Sequence, residues 1–107
     1  MQHLGARELA DWLADQGRQR PVLLDVREDW EVELCALDGI THIPMQQVPA
    51  RLQELDTETA IVVICHHGVR SMQVTMFLER QGFSSLFNLT GGVAAWAEEV
   101  DSSMPRY

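Results

Sequence analysis

The chain contains no lysine. All eight of its basic residues are arginine, against 16 Asp and Glu, so the net charge is −8 and the pI is about 4.8. A chain this acidic has no basic surface for a phosphate backbone or an anionic lipid surface. We therefore expect no binding to nucleic acid or membranes. Mechanisms that need a Schiff-base or P-loop lysine are excluded.

Cysteine is also scarce, with only Cys35 and Cys65. Two cysteines are too few for a disulfide framework, and Cys and His are too scattered for a structural zinc site. No basic segment followed by an apolar stretch resembles a signal peptide, and no apolar run approaches the ~20 residues of a membrane span. These features predict reduced thiols, a cytoplasmic location, and no metal or cofactor.

Strand-like and helical segments alternate along the chain, which is typical of βαβ units and a parallel sheet. Short apolar, β-branched runs predict strands over 22–26, 40–43, 60–64 and 85–89. Amphipathic spacing and Gly or Pro stops predict helical segments over 5–15, 28–34, 48–55, 70–81 and 93–98. The length predicts one α/β domain over residues 1–107, with an irregular tail at about 100–107.

Cys65 directly follows the strongest predicted strand, and Cys-His-His-Gly-Val-Arg-Ser then leads into a helix. Sites in open α/β sheets form beyond the carboxyl ends of strands. Residues 66–71 contain no proline, so six consecutive N–H groups can converge on an anion, and Gly68 favours the positive φ of a tight curl. Such a loop at a helix N-terminus favours the thiolate of Cys65, which is the nucleophilic form. This context disfavours the alternative that Cys65 is merely a small buried hydrophobic residue.

The sequence resembles the rhodanese family. The matching stretches lie in family order and spacing: Leu24-Asp25-Val26-Arg27-Glu28, Ile43-Pro44, Cys65 to Ser71, and Asn88 to Trp96. The resemblance implies a small three-layer α/β domain with a mainly parallel five-stranded sheet flanked by helices. It also implies a sulfurtransferase whose Cys65 carries a persulfide. The transferred sulfur would be held by the loop residues His66, His67, Gly68, Val69, Arg70 and Ser71.

The implied reaction moves a sulfane sulfur from a donor such as thiosulfate to cyanide or a thiol. The Cys65 loop also resembles rhodanese domains fused to enzymes that activate sulfur-carrier proteins, which makes such a carrier a further candidate acceptor. Arg70 either orients the donor's sulfonate or pairs with a carboxylate to hold the loop. Asp25 and Arg27, at the end of the neighbouring strand, are expected to support the loop rather than the chemistry. His66 and His67 are expected to shape its rim rather than to bind a metal.

Two rival functions remain. Some cysteine phosphatases and arsenate reductases use a Cys-x5-Arg loop, whereas Cys65 and Arg70 are separated by four residues. The shorter loop should make a tighter ring, better suited to one sulfur atom than to a tetrahedral phosphate. The other rival is a non-catalytic rhodanese-like binding or regulatory module, since fold alone does not give function.

Cys35 is interpreted as a packed residue, with a resolving thiol for oxidised Cys65 as the alternative.

Overall fold

A five-stranded, wholly parallel sheet forms the centre of the computed structural model, which describes all residues from Met1 to Tyr107. The strands are β1 (Gln2–Leu4), β2 (Val22–Asp25), β3 (Thr41–His42), β4 (Ile61–Ile64) and β5 (Leu86–Leu89), in the spatial order β1-β5-β4-β2-β3. The four strands predicted from apolar runs are confirmed, with β3 shorter than expected. The strand β1 has no counterpart among them, because a three-residue edge strand with two exposed polar side chains has no apolar pattern.

Helices alternate with strands along the chain, as the sequence pattern predicts, and the last helix follows the last strand. They are α1 (Ala6–Ala14), α2 (Asp29–Leu34), α3 (Val69–Arg80) and α4 (Gly92–Glu99). The segment predicted as helical over 48–55 is a 3-10 helix, Pro49–Glu54, preceded by a shorter one over Met45–Gln47. Arg51 has φ −121° and ψ 21°, which interrupts regular helical geometry there.

Two apolar layers cover the sheet, one on each face. The face covered by α1 and α4 carries a core cluster that includes Leu9, Val62 and Val93. The opposite face, covered by α3 and the 3-10 segment, carries Val63 and Leu78. Every residue of β4 is buried, as expected for a central parallel strand with both faces covered.

The parallel arrangement brings the carboxyl ends of β2, β4 and β5 to one edge of the sheet. Asp25 ends β2, Cys65 follows β4, and Gly91 lies two residues beyond the end of β5. The sequence features that suggested chemistry therefore meet at this edge.

No helix is both long enough and apolar enough to span a bilayer.

Candidate active site

Cys65 is buried where β4 gives way to the loop that precedes α3, with 1% of its surface exposed. Its Sγ accepts a hydrogen bond from the Gly68 N–H at 3.0 Å. Gly68 has φ +105°, so the predicted positive φ is present, and it directly precedes the first residue of α3. The loop thus curls back on the cysteine and directs a backbone donor at the sulfur.

A closed circuit of hydrogen bonds surrounds this sulfur. The Cys65 thiol donates to Ser71 Oγ at 3.3 Å, and the Ser71 hydroxyl donates to Asn88 Oδ1 at 2.5 Å. The Asn88 side-chain amide then donates to the Gly68 carbonyl at 3.3 Å. The Gly68 N–H in turn donates to the sulfur, which closes the circuit. Ser71 and Asn88 are both buried, so α3 and β5 jointly fix the position of the thiol. The role of Asn88 was not expected from the sequence, although a polar residue inside an apolar strand is a usable signal.

Most backbone donors of the loop are free. Of the six N–H groups of residues 66–71, the one of Gly68 binds the sulfur, and the other five donate to no protein group. Three of these five form the first turn of α3, where an α-helix leaves its N–H groups unpaired. This arrangement leaves room for a further anionic atom beside the sulfur.

The helix α4 orients the loop through hydrogen bonds to two of the loop's backbone carbonyls. The Val93 N–H donates to the Cys65 carbonyl at 2.9 Å, and the Ala94 N–H donates to the His66 carbonyl at 3.0 Å. Because a trans peptide points its N–H opposite to its carbonyl, the N–H groups that follow turn away from α4. Gly92 permits this approach, since a Cβ there would lie 2.4 Å from the Cys65 carbonyl oxygen. Sequence reasoning missed this function of Gly92.

Arg70 is paired with a carboxylate. Its two terminal nitrogens bind the two oxygens of Glu31 at 2.7 and 2.9 Å, which is the second of the two geometries expected for this arginine. The hydrogen bonds from Arg70 are the main cause that lowers the pKa of Glu31 to about 2, against the opposing effect of burial. Glu31 is buried in α2, and its Oε1 also accepts the Glu28 N–H at 3.0 Å. This spacing of two acidic residues at a helix start was the available signal for Glu31.

Asp25 and Arg27 form a buried ion pair beside the loop. The guanidinium of Arg27 binds both carboxylate oxygens of Asp25, at 2.8 to 3.1 Å, and also donates to the Cys35 carbonyl at 2.7 Å. Burial alone would lower the pKa of Arg27, but its hydrogen bonds to Asp25 and Tyr107 produce a net upward shift. Asp25 accepts no hydrogen bond from residues 66–71. Asp25 is therefore connected to the loop only indirectly, by way of its ion pair with Arg27.

Tyr107 joins this charged group to the loop, although its segment was expected to be an irregular tail. The phenol accepts a hydrogen bond from Arg27 at 2.9 Å and donates one to Glu31 at 2.7 Å. Burial is the largest of the effects that together raise the pKa of Tyr107 to about 12. The segment after α4 contains no helix or strand, as predicted, but its last side chain packs against the site.

His66 and His67 shape the rim by stacking. The His66 ring lies between those of Tyr107 and His67, with ring centroids 3.8 and 3.9 Å away. Burial and the neighbouring His67 lower the pKa of His66. No group of three or more His, Cys, Asp or Glu side chains is arranged to hold a metal ion. Val69 begins α3 with an exposed side chain and contributes its N–H group to the loop.

The two thiols are not brought together. Cys35 packs in the core on the α1 and α4 face, and its sulfur lies 4.0 Å from a guanidinium nitrogen of Arg27. Cys65 belongs to the cluster on the opposite face of the sheet. The structure therefore agrees with Cys35 as a packed residue and offers no resolving thiol to Cys65.

Comparison with known protein families gives a match between residues 6–99 and the rhodanese-like domain. The chain belongs to the rhodanese-like domain family. Among solved structures, the rhodanese-like domain protein from Staphylococcus aureus superposes with a TM-score of 0.84 at 29% identity, covering 94% of this chain and 95% of that one. A human single-domain sulfurtransferase gives 0.78 at 26% identity, covering 92% and 97% of the two chains. The fold expected from the resemblance is thereby confirmed.

Relatives of this rhodanese-like domain differ in how much of their length it spans. A putative sulfurtransferase from Bacillus subtilis is 42% identical, with 73% of this chain and 75% of that protein covered. A rhodanese-like/PpiC domain-containing protein from Arabidopsis thaliana is also 42% identical, with 79% of this chain covered, but the chain spans only 30% of that protein. Most of the plant protein therefore has no counterpart here.

Proposed function

We propose that this rhodanese-like domain is a sulfurtransferase that carries a sulfane sulfur as a persulfide on Cys65. The observation that carries the proposal is the Cys65 sulfur, which accepts the Gly68 N–H inside a loop whose other five N–H groups are unpaired. A buried thiol at the centre of free backbone donors suits an added sulfur that bears negative charge. Relatives named as sulfurtransferases in Bacillus subtilis and Allochromatium vinosum support the same activity.

The first half-reaction loads the cysteine. The Cys65 thiolate attacks the outer sulfur of thiosulfate, a new S–S bond forms, and the bond to the sulfonate sulfur breaks. Sulfite leaves with that electron pair. The outer sulfur on Cys65 then carries the negative charge, and the free N–H groups of the loop stabilise it without a general base.

The second half-reaction returns the thiolate. Cyanide or a thiolate attacks the outer sulfur, and Cys65 leaves with the bonding electron pair. Cyanide becomes thiocyanate, and a thiol becomes a persulfide. A relative named as a putative sulfur carrier protein, 35% identical over 74% of this chain, supports a carrier protein as an acceptor class. The free cysteines favour a reducing compartment, so we place this reaction in the cytoplasm.

In this scheme the surrounding residues position the loop rather than react. Arg70 is held by Glu31, and Asp25 orients Arg27, which in turn holds Tyr107. His66 and His67 form the rim of the loop by stacking on one another. Removing a positioning residue should therefore reduce the rate of sulfur transfer, whereas removing Cys65 should abolish it.

Mass spectrometry after incubation with thiosulfate tests the proposal directly. We expect one added sulfur atom on Cys65, released by cyanide as thiocyanate. Cys65→Ser should lose both signals while keeping its fold, and Cys35→Ala is the matched control that keeps them. Sulfur found on Cys35, or none on either cysteine with any sulfane donor, would contradict the proposal.

A phosphatase assay separates this function from its closest rival. The loop from Cys65 to Arg70 is one residue shorter than the phosphatase pattern, so turnover of an aryl phosphate is not expected. Inserting one glycine after Gly68 should weaken sulfur transfer. Enzyme-like hydrolysis of the aryl phosphate by the unmodified protein would refute the argument from loop size.

A further inference from the structure

The side-chain amide of Asn88 has one orientation inside the circuit around the Cys65 sulfur. Its nitrogen donates to the Gly68 carbonyl at 3.3 Å, and its oxygen lies 2.5 Å from Ser71 Oγ. Turning the amide over would set its oxygen against the Gly68 carbonyl oxygen, and neither of these atoms carries a proton. The Gly68 carbonyl therefore keeps the acceptor oxygen of Asn88 towards Ser71.

The orientation of Asn88 decides where the Ser71 hydroxyl proton lies. A hydroxyl has one proton to donate, and an amide oxygen can only accept. The contact of Ser71 Oγ with Asn88, at 2.5 Å, is shorter than its contact with Cys65 Sγ, at 3.3 Å. The proton between Ser71 and Cys65 therefore belongs to the thiol, and the four hydrogen bonds of the circuit all run in one direction.

This direction suits the neutral thiol of Cys65 and opposes its thiolate. A hydrogen bond to the neutral form of an acid disfavours ionisation, and here Ser71 accepts from the neutral thiol. Once the thiolate forms, no proton lies between Ser71 Oγ and Sγ unless the hydroxyl turns to the sulfur. That turn would leave the buried oxygen of Asn88 without a donor, which costs free energy. In either case Asn88 weakens the support that Ser71 gives to the charged sulfur.

We propose that Asn88 is a positioning residue that restrains formation of the Cys65 thiolate by holding the Ser71 hydroxyl proton. No hydrogen bond joins Asn88 to Cys65, so the effect passes through Ser71. The restraint opposes the Gly68 N–H and the unpaired N–H groups of the loop, which favour the thiolate. Its importance for sulfur transfer rests on the proposed function, because the thiolate attacks the donor, whereas the proton arrangement itself does not.

The charged and titratable groups around the loop are the same in every variant of Asn88. They are His66 and His67 of the loop, Arg70 of α3, Glu31 of α2, Asp25 and Arg27 at the end of β2, and His3 of β1. None of them donates to or accepts from the Cys65 sulfur, whose only partners are the Gly68 N–H and Ser71 Oγ. Comparison of variants at a single pH therefore isolates the effect of Asn88.

Two substitutions of similar shape separate the two contacts of Asn88. Asn88→Leu removes the acceptor oxygen, which leaves Sγ as the remaining partner of the Ser71 hydroxyl. The Gly68 carbonyl still accepts the Met72 N–H at 3.3 Å, so the loop keeps its junction with α3. Asn88→Asp instead keeps an oxygen that accepts the Ser71 proton, but it loses the donor to Gly68.

Alkylation of Cys65 by iodoacetamide at two pH values tests the proposal without requiring sulfur transfer. In a Cys35→Ala background, Asn88→Leu should raise the rate about fivefold at about pH 6, where the scarce thiolate limits the reaction. At about pH 9.5 the rate should stay within about twofold, because an ordinary cysteine is largely ionised there. Asn88→Asp should not exceed the parent rate at about pH 6.

Ser71→Ala supplies the background that identifies the route. Adding Asn88→Leu to Ser71→Ala should change the rate at about pH 6 by less than about twofold, because the hydroxyl is absent. Equal acceleration at both pH values, or acceleration that persists without the hydroxyl, would mean that the loop had only loosened and would overturn the proposal. An unchanged rate in Asn88→Leu, or acceleration by Asn88→Asp, would overturn it as well.

Ser71→Ala also decides the question if Asn88→Leu does not fold. Since the Ser71 hydroxyl is committed to Asn88, its removal should not slow alkylation at about pH 6. A slower reaction would show that the hydroxyl donates to the thiolate in the wild type, which contradicts the proposal.

Sulfite release from thiosulfate, measured at the same two pH values, extends the test to the reaction. Asn88→Leu should accelerate this step at about pH 6 by a factor similar to that for alkylation. If the wild type acquires no sulfur from any donor yet shows the alkylation pattern, the proposed function fails and the role of Asn88 stands. If Cys65 acquires sulfur but its alkylation is independent of Asn88, only the role of Asn88 is refuted.

Discussion

Arg70 and Glu31 form a two-point ion pair that joins the end of the Cys65 loop to α2, with N–O distances of 2.7 and 2.9 Å. The pair is asymmetric in its environment, because the Glu31 side chain is 4% exposed and that of Arg70 is 34% exposed. Loss of the arginine therefore leaves a buried carboxylate without its main partner. Loss of the glutamate would instead release a charge that water can still reach.

Arg70→Ala should accordingly lower both stability and activity. We expect the free energy of unfolding to fall by about 1–2 kcal/mol, less than for a fully buried pair because Arg70 is partly solvated. Sulfur transfer should fall by about tenfold or more as the loop loses its anchor. Arg70→Lys should recover only part of either loss, since an ammonium group cannot bind two oxygens in parallel.

Urea denaturation and the cyanide assay measure these effects. Arg51→Ala is the matched control, because Arg51 pairs with Glu54 in a similar two-point geometry at the surface. That variant should leave the unfolding midpoint and the activity nearly unchanged. Equal effects of the Arg70 and Arg51 substitutions would contradict the anchoring role.

Stability at low pH should depend on Glu31. Its pKa is lowered from 4.5 to about 2, chiefly by hydrogen bonds from Arg70, so the folded state holds the proton less tightly than the unfolded state. This stabilisation is fully present above pH 4.5 and is lost as the pH falls from 4.5 towards 2. We expect a loss on the order of 2 kcal/mol over that interval.

Glu31→Gln tests this pH dependence, because it keeps the shape and removes the titrating carboxyl. Urea midpoints measured between about pH 5 and pH 2.5 should decline less steeply in the variant than in the wild type. Glu58→Gln, at an exposed position, is the control. Parallel declines in wild type and Glu31→Gln would rule out Glu31 as the source.

Gly92→Ala should displace the loop from α4. The new Cβ would lie 2.4 Å from the Cys65 carbonyl oxygen, at a residue whose φ is already +58°. Gly82→Ala is a matched control, since Gly82 also has a positive φ, +93°, but its Cβ would meet nothing within 4 Å. Backbone strain of about 1 kcal/mol is common to both variants.

Only Gly92→Ala should combine that strain with a collision, so its free energy of unfolding should fall by about 3 kcal/mol or more. Its sulfur transfer should also fall well below that of Gly82→Ala. Thermal unfolding and the cyanide assay supply the comparison. Similar losses in the two variants would mean that the close approach of α4 to the loop is dispensable.

Ser71 and Asn88 should be energetically coupled. Ser71→Ala leaves the buried side-chain oxygen of Asn88 without its hydrogen-bond donor at 2.5 Å. The free energy of unfolding should fall by about 1–3 kcal/mol. A double-mutant cycle with Asn88→Ala should give a coupling of about 1 kcal/mol, measured by urea denaturation. Additive losses of unfolding free energy would show that Ser71 and Asn88 are not coupled through the hydrogen bonds around the Cys65 sulfur.

Much of this architecture could be predicted from local sequence. Runs such as Ile61–Ile64 are buried on both faces, so every side chain in them had to be apolar. The Cys65 loop could be located for a related reason, since its strand, glycine and helix start are contiguous in the chain. The strand β1 could not be found in this way, because its only stabilising partner is β5, at the other end of the sequence.

The contacts that complete the site could not be predicted from local sequence. Glu31 and Tyr107 are 76 residues apart, and nothing in either local pattern indicates that they meet. Gly92 belongs to a glycine pair that reads as an ordinary turn, whereas its function is to let two carbonyls approach a helix. Such roles depend on which elements pack together, which local periodicity does not encode.

The separation of Cys35 from Cys65 by the sheet has a consequence for oxidative damage. A peroxide that converts Cys65 to a sulfenic acid creates a group that another thiol can rescue by condensing with it to a disulfide. Since Cys35 faces the opposite layer, that thiol has to arrive from solution. Recovery should then scale with the concentration of a small thiol in solution, and without one further peroxide oxidises the cysteine to the irreversible sulfinic state.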